Sequence, residues 1–135
     1  MNDRIEAIYN KIANKANEMI PVKWSKILLN AEIVPGVITT YYVFYDEQNI
    51  ELILFDDIPD RYNVDEDIYY NYRNELNDLI NELNNETINE NGERWSIVTF
   101  ILNADGKFSI DYSYENLDET DEMIRRERFE EKYLK

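Results

Sequence analysis

Cysteine and histidine are both absent from this chain of 135 residues. Without cysteine there is no disulfide framework and no thiolate zinc site, and without histidine the commonest metal ligand and the usual neutral-pH base are missing. Most familiar catalytic constellations are excluded with them. No run of about eighteen or more apolar residues occurs, and the opening "MNDRIEAIYNKIANKANEMI" is amphipathic and studded with charge. Neither a membrane span nor a secretory signal is therefore expected, and the expected location is the cytoplasm. Internal repeats and long linkers are missing too, so the length and the 44% hydrophobic content fit one domain, residues 1–135, around one core.

Basic residues are scarce, 14 against 29 acids, for a formal net charge of -15. Residues 1–26 hold five bases (Arg4, Lys11, Lys15, Lys23, Lys26) and three acids, and residues 123–135 have the same balance. Residues 27–122 therefore carry 23 acids and four bases. Such a field repels nucleic acid and anionic lipid and speeds association with a basic partner. Eleven Tyr, five Phe and two Trp argue against disorder in spite of the charge.

Asn2 or Asp3 can cap a first helix whose apolar positions Ile5, Ile8, Ile12, Ala16 and Ile20 recur at helical steps, with Arg4, Lys11 and Lys15 toward water. Pro21 stops it. Three β-rich runs follow, 24–34, 37–46 and 49–56, joined by Pro35-Gly36 and Glu47-Gln48; such short connections predict an antiparallel meander. The middle run is apolar on both alternate faces, which predicts cover on each side. After a loop at 57–64 around Pro59, Asn63 and Glu66 read as a capping box. The helix behind it carries the stripe Ile68, Tyr72, Leu76, Leu79, Leu83 and ends at Asn91-Gly92.

Strands at 95–103 and 107–115 flank Ala104-Asp105-Gly106, a strong hairpin signal. In the second of them Ser109, Asp111, Ser113 and Glu115 share a polar face that must be wet or bound. Asp118 or Thr120 is expected to cap a last helix, with Ile124, Phe129 and Tyr133 touching the body and Arg125, Arg126 and Arg128 outside. Trp24 and Trp95 are read as core anchors at strand starts. The predicted class is α+β in the order α-βββ-α-ββ-α, a mainly antiparallel five-stranded sheet with packed helices.

These residues are familiar as a set. "NEMIPVKWSKILLNAEI", "FDDIP" followed by "NVDEDIYYNYRNELNDLINEL", and above all "WSIVTFILNADGKFSIDYSYENLDETD" resemble the YezG-like family of small immunity proteins, which includes EsaG-type antitoxins. The resemblance runs in order from about residue 6 to the carboxyl end, and its most specific part is Trp95 to Glu115. It implies a cytoplasmic, non-enzymatic antitoxin that binds a nuclease toxin exported by type VII secretion, often of LXG type. It also implies a partner with a basic, substrate-binding groove, and no cofactor.

Two acidic clusters are the candidate partner-binding residues. The first is Asp56, Asp57, Asp60, Asp65, Glu66 and Asp67, with Tyr69 and Tyr70 read as exposed beside them. Its plain alternative is a solvated loop plus helix-dipole acids worth about 0.3 to 1 kcal/mol each. The second is Asp111, Glu115, Asp118, Glu119, Asp121 and Glu122, where Asp118 and Asp121 could equally cap the last helix. Like charges gathered on one strand face are mildly destabilising unless a cation or a partner neutralises them.

The Asp105-Gly106 turn lacks the spacing of a calcium loop, and paired carboxylates are unspecific for glycosidase chemistry in so acidic a chain. No catalytic or metal residue is expected. An acidic adaptor or nucleic-acid mimic acting on a host DNA-binding protein is the alternative function.

Overall fold

The computed structural model describes residues 3–34, 37–48, 51–88 and 91–134. Its elements are α1 (Asp3–Met19), β1 (Trp24–Val34), β2 (Val37–Asp46), β3 (Leu52–Leu54), α2 (Ile58–Tyr62), α3 (Glu66–Glu86), β4 (Ile97–Asn103), β5 (Phe108–Ser113) and α4 (Glu122–Tyr133). Short 3-10 turns at Phe55–Asp57 and Leu117–Glu119 precede α2 and α4. The α+β class and the antiparallel five-stranded sheet are as expected. Strand order is β3-β2-β1-β4-β5, so α3 carries the chain across to the other side of β1. Asn2, the Pro35-Gly36 turn and the start of the third run lie outside the described residues.

The sheet has two unlike faces because successive strand residues alternate sides. Ile27, Leu29 and Ala31 of β1, Tyr42 and Phe44 of β2, and Val98, Phe100 and Leu102 of β4 pack with α1 and α3 in the main core. The expected α1 stripe is borne out: Ile8, Ile12 and Ala16 are fully covered and Ile20 nearly so. Each fully covered isoleucine contributes about 1.5 to 3 kcal/mol relative to exposure. The opposite face holds a smaller cluster of Leu28, Val43 and Phe129 with Tyr41, Tyr45, Leu52 and Ile101 around it. β2 is apolar on both faces because both are covered, as its sequence implied.

Several local expectations are corrected. The third strand is three residues long, not 49–56, because Phe55 and Ile58 turn inward and the chain closes into a 3-10 turn and α2 instead of a plain loop. Pro59 fits there because the first turn of a helix needs no amide hydrogen from it. Asn63 is not the cap of the long helix; with φ of 55° it ends α2, and Asp65 caps α3 by accepting from the N–H groups of Asp67 and Ile68 at 2.9 and 3.2 Å. That cap is worth about 1 kcal/mol.

The helix α3 also lies rotated from the expected stripe: Tyr69, Leu76, Ile80 and Leu83 are buried, while Ile68 is 52% exposed and Tyr72 and Leu79 are half-buried. It ends at Glu86, before Asn91-Gly92, because Thr87 folds both its N–H and its hydroxyl back onto the Leu83 carbonyl. Lys15, expected in water, is drawn onto α3 by an ion pair to Glu75 at 2.5 Å, with a second, within α1, to Glu18 at 3.4 Å.

Of the two tryptophans, Trp95 is the core anchor, stacked on Tyr112 at 5.4 Å. Trp24 is only half-buried and donates to Asn17 at 2.9 Å. Of the residues expected to cap the last helix, Asp121 does so, and Asp118 and Thr120 do not. On α4 Phe129 is buried and Tyr133 half-buried as expected, but Ile124 is 47% exposed and Arg125 is turned inward.

Candidate functional site

The first acidic cluster is divided by the structure. Asp56 accepts the Tyr69 hydroxyl at 2.8 Å and pairs with Arg73, whose other nitrogen donates to Thr40 at 3.0 Å. Tyr69 itself is 1% exposed, which corrects its assignment as a surface tyrosine. The reason is geometric: Tyr69 falls at helical spacing with Leu76, Ile80 and Leu83 and so shares the buried face of α3. Asp65 is occupied as the cap. Asp57, Asp60, Glu66 and Asp67 remain exposed with no ion pair among the described residues, beside Tyr70, which is 47% exposed and meets Tyr69 edge-on at 5.1 Å.

The second cluster is divided in the same way. The polar face of β5 is bound by the chain's own α4. Asp111 accepts the Tyr133 hydroxyl at 3.1 Å, and Arg128 donates to both oxygens of Glu115 at 3.0 and 2.9 Å. Asp121 accepts from the N–H of Ile124 at 2.9 Å. Asp118, Glu119 and Glu122 stay exposed without an ion pair among the described residues.

Sequence reasoning missed the contact that fixes α4. Arg125 donates to Glu32 from Nε at 2.6 Å and from Nη2 at 2.9 Å, a bidentate pair whose side chains are 10% and 11% exposed. Its Nη1 also donates to the Leu117 carbonyl at 3.0 Å and to the carbonyl and hydroxyl of Thr120. One guanidinium thereby joins β1, the 3-10 turn and α4, and the Glu32 carboxylate holds its pKa above the ordinary arginine value. Arg126 lies 3.7 Å over the ring of Tyr41, which Phe129 meets edge-on at 5.6 Å. Period-two reading of β1 held the signal, since Leu28, Asn30 and Glu32 share one face and place a carboxylate on it near the strand's end. Its partner stands 93 positions away.

Charge is therefore partly neutralised within the chain. Arg4, Lys15, Arg61, Arg73, Arg125 and Arg128 each hold an acid of their own chain, only the Arg125–Glu32 pair being buried, and the acids left over face outward. A cleft of about 290 Å³ remains between α4 and the sheet, lined by acids and bases together. Among the described residues no three acidic side chains gather closely enough to hold a metal ion.

Three phenols, Tyr42 and Tyr69 buried and Tyr112 half-buried, set an alkaline limit. Burial pushes the pKa of Tyr42, Tyr69 and Tyr112 upward, reinforced at Tyr69 by the Asp56 carboxylate and at Tyr112 by the 2.6 Å bond to Tyr9. A pKa raised on folding gives stability that is complete below the unfolded value, near 10, and is lost as pH climbs above it, because the unfolded chain releases those protons first. Melting temperature should hold to about pH 9 and fall steeply above about 10. Tyr69→Phe should shallow that fall, as read by circular dichroism melts across the range.

The chain is similar in sequence to known proteins. The family model described as "Immunity protein YezG-like" matches residues 5–135. An immunity protein YezG of Bacillus spizizenii is 39% identical over 110 residues, covering 82% of this chain and 68% of the relative. Its namesake in Bacillus subtilis is 34% identical over 113 residues, 84% of this chain and 75% of the relative. The type VII secretion system protein EsaG of Staphylococcus aureus is 28% identical over 112 residues, 83% and 69% of the two chains. With nearly all of its length inside the family match, the chain belongs to the YezG-like family of immunity proteins.

Proposed function

We propose that this chain is a cytoplasmic, non-enzymatic antitoxin that neutralises an LXG-type nuclease toxin exported by type VII secretion. Its outward acids would meet the basic groove in which the toxin takes up nucleic acid. Family membership supports the immunity role, and the likeness to the secretion-system protein EsaG supports the type VII assignment. The observation that carries the charge mechanism is the sorting of side chains. Asp57, Asp60, Glu66, Asp67, Asp118, Glu119 and Glu122 are exposed and without ion pairs among the described residues, while Arg4, Lys15, Arg61, Arg73, Arg125 and Arg128 are held by other acids of the same chain. A surface so arranged keeps its negative field for a partner.

The test is to read the neighbouring genes for an LXG-type toxin and to express its carboxyl-terminal domain with and without this chain. Survival only in its presence, together with a recovered complex, is expected; equal killing sinks the proposal. Recovery of housekeeping DNA-binding proteins instead would support the acidic adaptor. Because exposed charges are screened over about 8 to 10 Å near physiological salt, raising salt should weaken the complex chiefly by slowing association. Stopped-flow rates at low and high salt check this, and an unchanged association rate would remove the charge mechanism.

A further inference from the structure

The strand β5 ends the sheet on one side. Among the described residues its backbone bonds run only toward β4 and Ser96. The bond from the Asn103 N–H to the Lys107 carbonyl, 2.9 Å, marks a hydrogen-bonded pair, and in an antiparallel ladder such pairs recur at every second position. Ser109, Asp111 and Ser113 therefore turn their N–H and C=O groups toward β4, and Phe108, Ile110 and Tyr112 turn theirs to the open edge. The other edge offers much less: β3 has three residues before the chain turns away at Phe55.

We infer that the open edge of β5 receives an extended strand of the toxin, carrying a basic side chain opposite Asp111 and apolar side chains on its alternate face. This rests on the antitoxin reading and names the element that makes the contact. Unpaired edge groups bind an added strand through main-chain hydrogen bonds, and alternate side chains choose which strand. On one face of β5 stand Ser109, Asp111 and Ser113. Tyr133 engages only Oδ2 of Asp111, which leaves Oδ1 for an incoming cation. On the other face Phe108, and Tyr114 just beyond the strand, are 41% and 43% exposed and offer apolar contact area at both ends.

Charge decides between a partner and a second copy. Twofold pairing of β5 with itself centred on Asp111 sets two carboxylates directly opposite, and centring it on Ile110 leaves them diagonal neighbours about 7 to 8 Å apart. Each chain also brings a formal charge of -15. Inward or edge charges of this kind block self-pairing, and a basic strand relieves the same repulsion.

Amide hydrogen exchange of the full chain, free and bound to the carboxyl-terminal domain of the toxin found by that gene search, tests this. The amides of Phe108, Ile110 and Tyr112 should slow by about tenfold or more on binding, while Ser109, Asp111 and Ser113, already bonded to β4, change little. An intact complex in which the first three exchange at their free rate overturns the inference and leaves the antitoxin reading standing. Absence of any complex overturns both. Concentration-dependent protection of the same three amides in the chain alone would assign the edge to self-association and also overturn it.

Ile110→Pro removes one outward N–H without touching the β4 ladder and should weaken binding by about tenfold or more. Because Ile110 also packs on the core, Asp111→Asn is read beside it, since its amide oxygen can still accept the Tyr133 hydroxyl. The same loss is expected with an unchanged melting temperature, and wild-type binding by Asp111→Asn would overturn the proposed pairing.

Discussion

Replacing Arg125 with alanine lowers the stability of the fold by about 3 kcal/mol, a large share of the 5 to 15 kcal/mol that holds a typical domain together. The loss arises mainly from what is left behind. Glu32 stands near the end of β1 with its side chain 11% exposed, and both of its oxygens accept from Arg125. Removing the guanidinium strands a carboxylate under α4 and frees the carbonyls of Leu117 and Thr120 at the same time. The lower end of the range for broken buried pairs applies because only one helix separates the pair from solvent. Urea denaturation should show a reduced midpoint, and exchange of α4 amides should quicken more than that of β1. Replacing both partners with apolar residues of similar volume should recover much of the loss, since the desolvated charge is then gone as well.

A larger effect is expected on association. Reversing Asp57, Asp60, Asp118 and Glu119 to lysine should slow binding of the toxin domain by on the order of 100-fold at low salt and leave melting nearly unchanged. These four residues are exposed and hold no ion pair among the described residues, so the fold does not depend on their charge. Asp111 and Glu115 are unsuitable for the same experiment, since Tyr133 and Arg128 hold them and their reversal would also loosen α4. Nor are Glu66 and Asp67, which stabilise the first turn of α3 through its dipole. High salt should erase the difference between the reversed chain and the wild type. Equal rates at low salt would mean that the outward acids have no part in recognition.

Reversing the two groups separately distinguishes their contributions. Asp57 and Asp60 lie between β3 and α3, whereas Asp118 and Glu119 lie between β5 and α4. A loss confined to the second pair agrees with strand addition at the β5 edge, and a loss confined to the first moves the contact to the start of α3.

Repetition along the chain was enough for α1, the antiparallel strands, the Ala104-Asp105-Gly106 hairpin and a buried Trp95, because periodicity and turn chemistry act between neighbours. Composition was likewise enough for the excess of negative charge. Tertiary structure alone decided which acids face outward. Asp56 and Glu115 look no different in sequence from Asp57 and Asp118, yet Arg73 and Arg128 hold the first two, and those partners arrive only when the chain is folded.

The rotation of α3 was decided the same way. A local capping box at Asn63 was plausible, but burial of Phe55, Ile58 and Tyr69 made α2 the better use of the segment and moved the helix start to Asp65. The pairing of Glu32 with Arg125 is the extreme case. Bringing two groups 93 positions apart together depends on every element folded between them, and no pattern local to either residue encodes it.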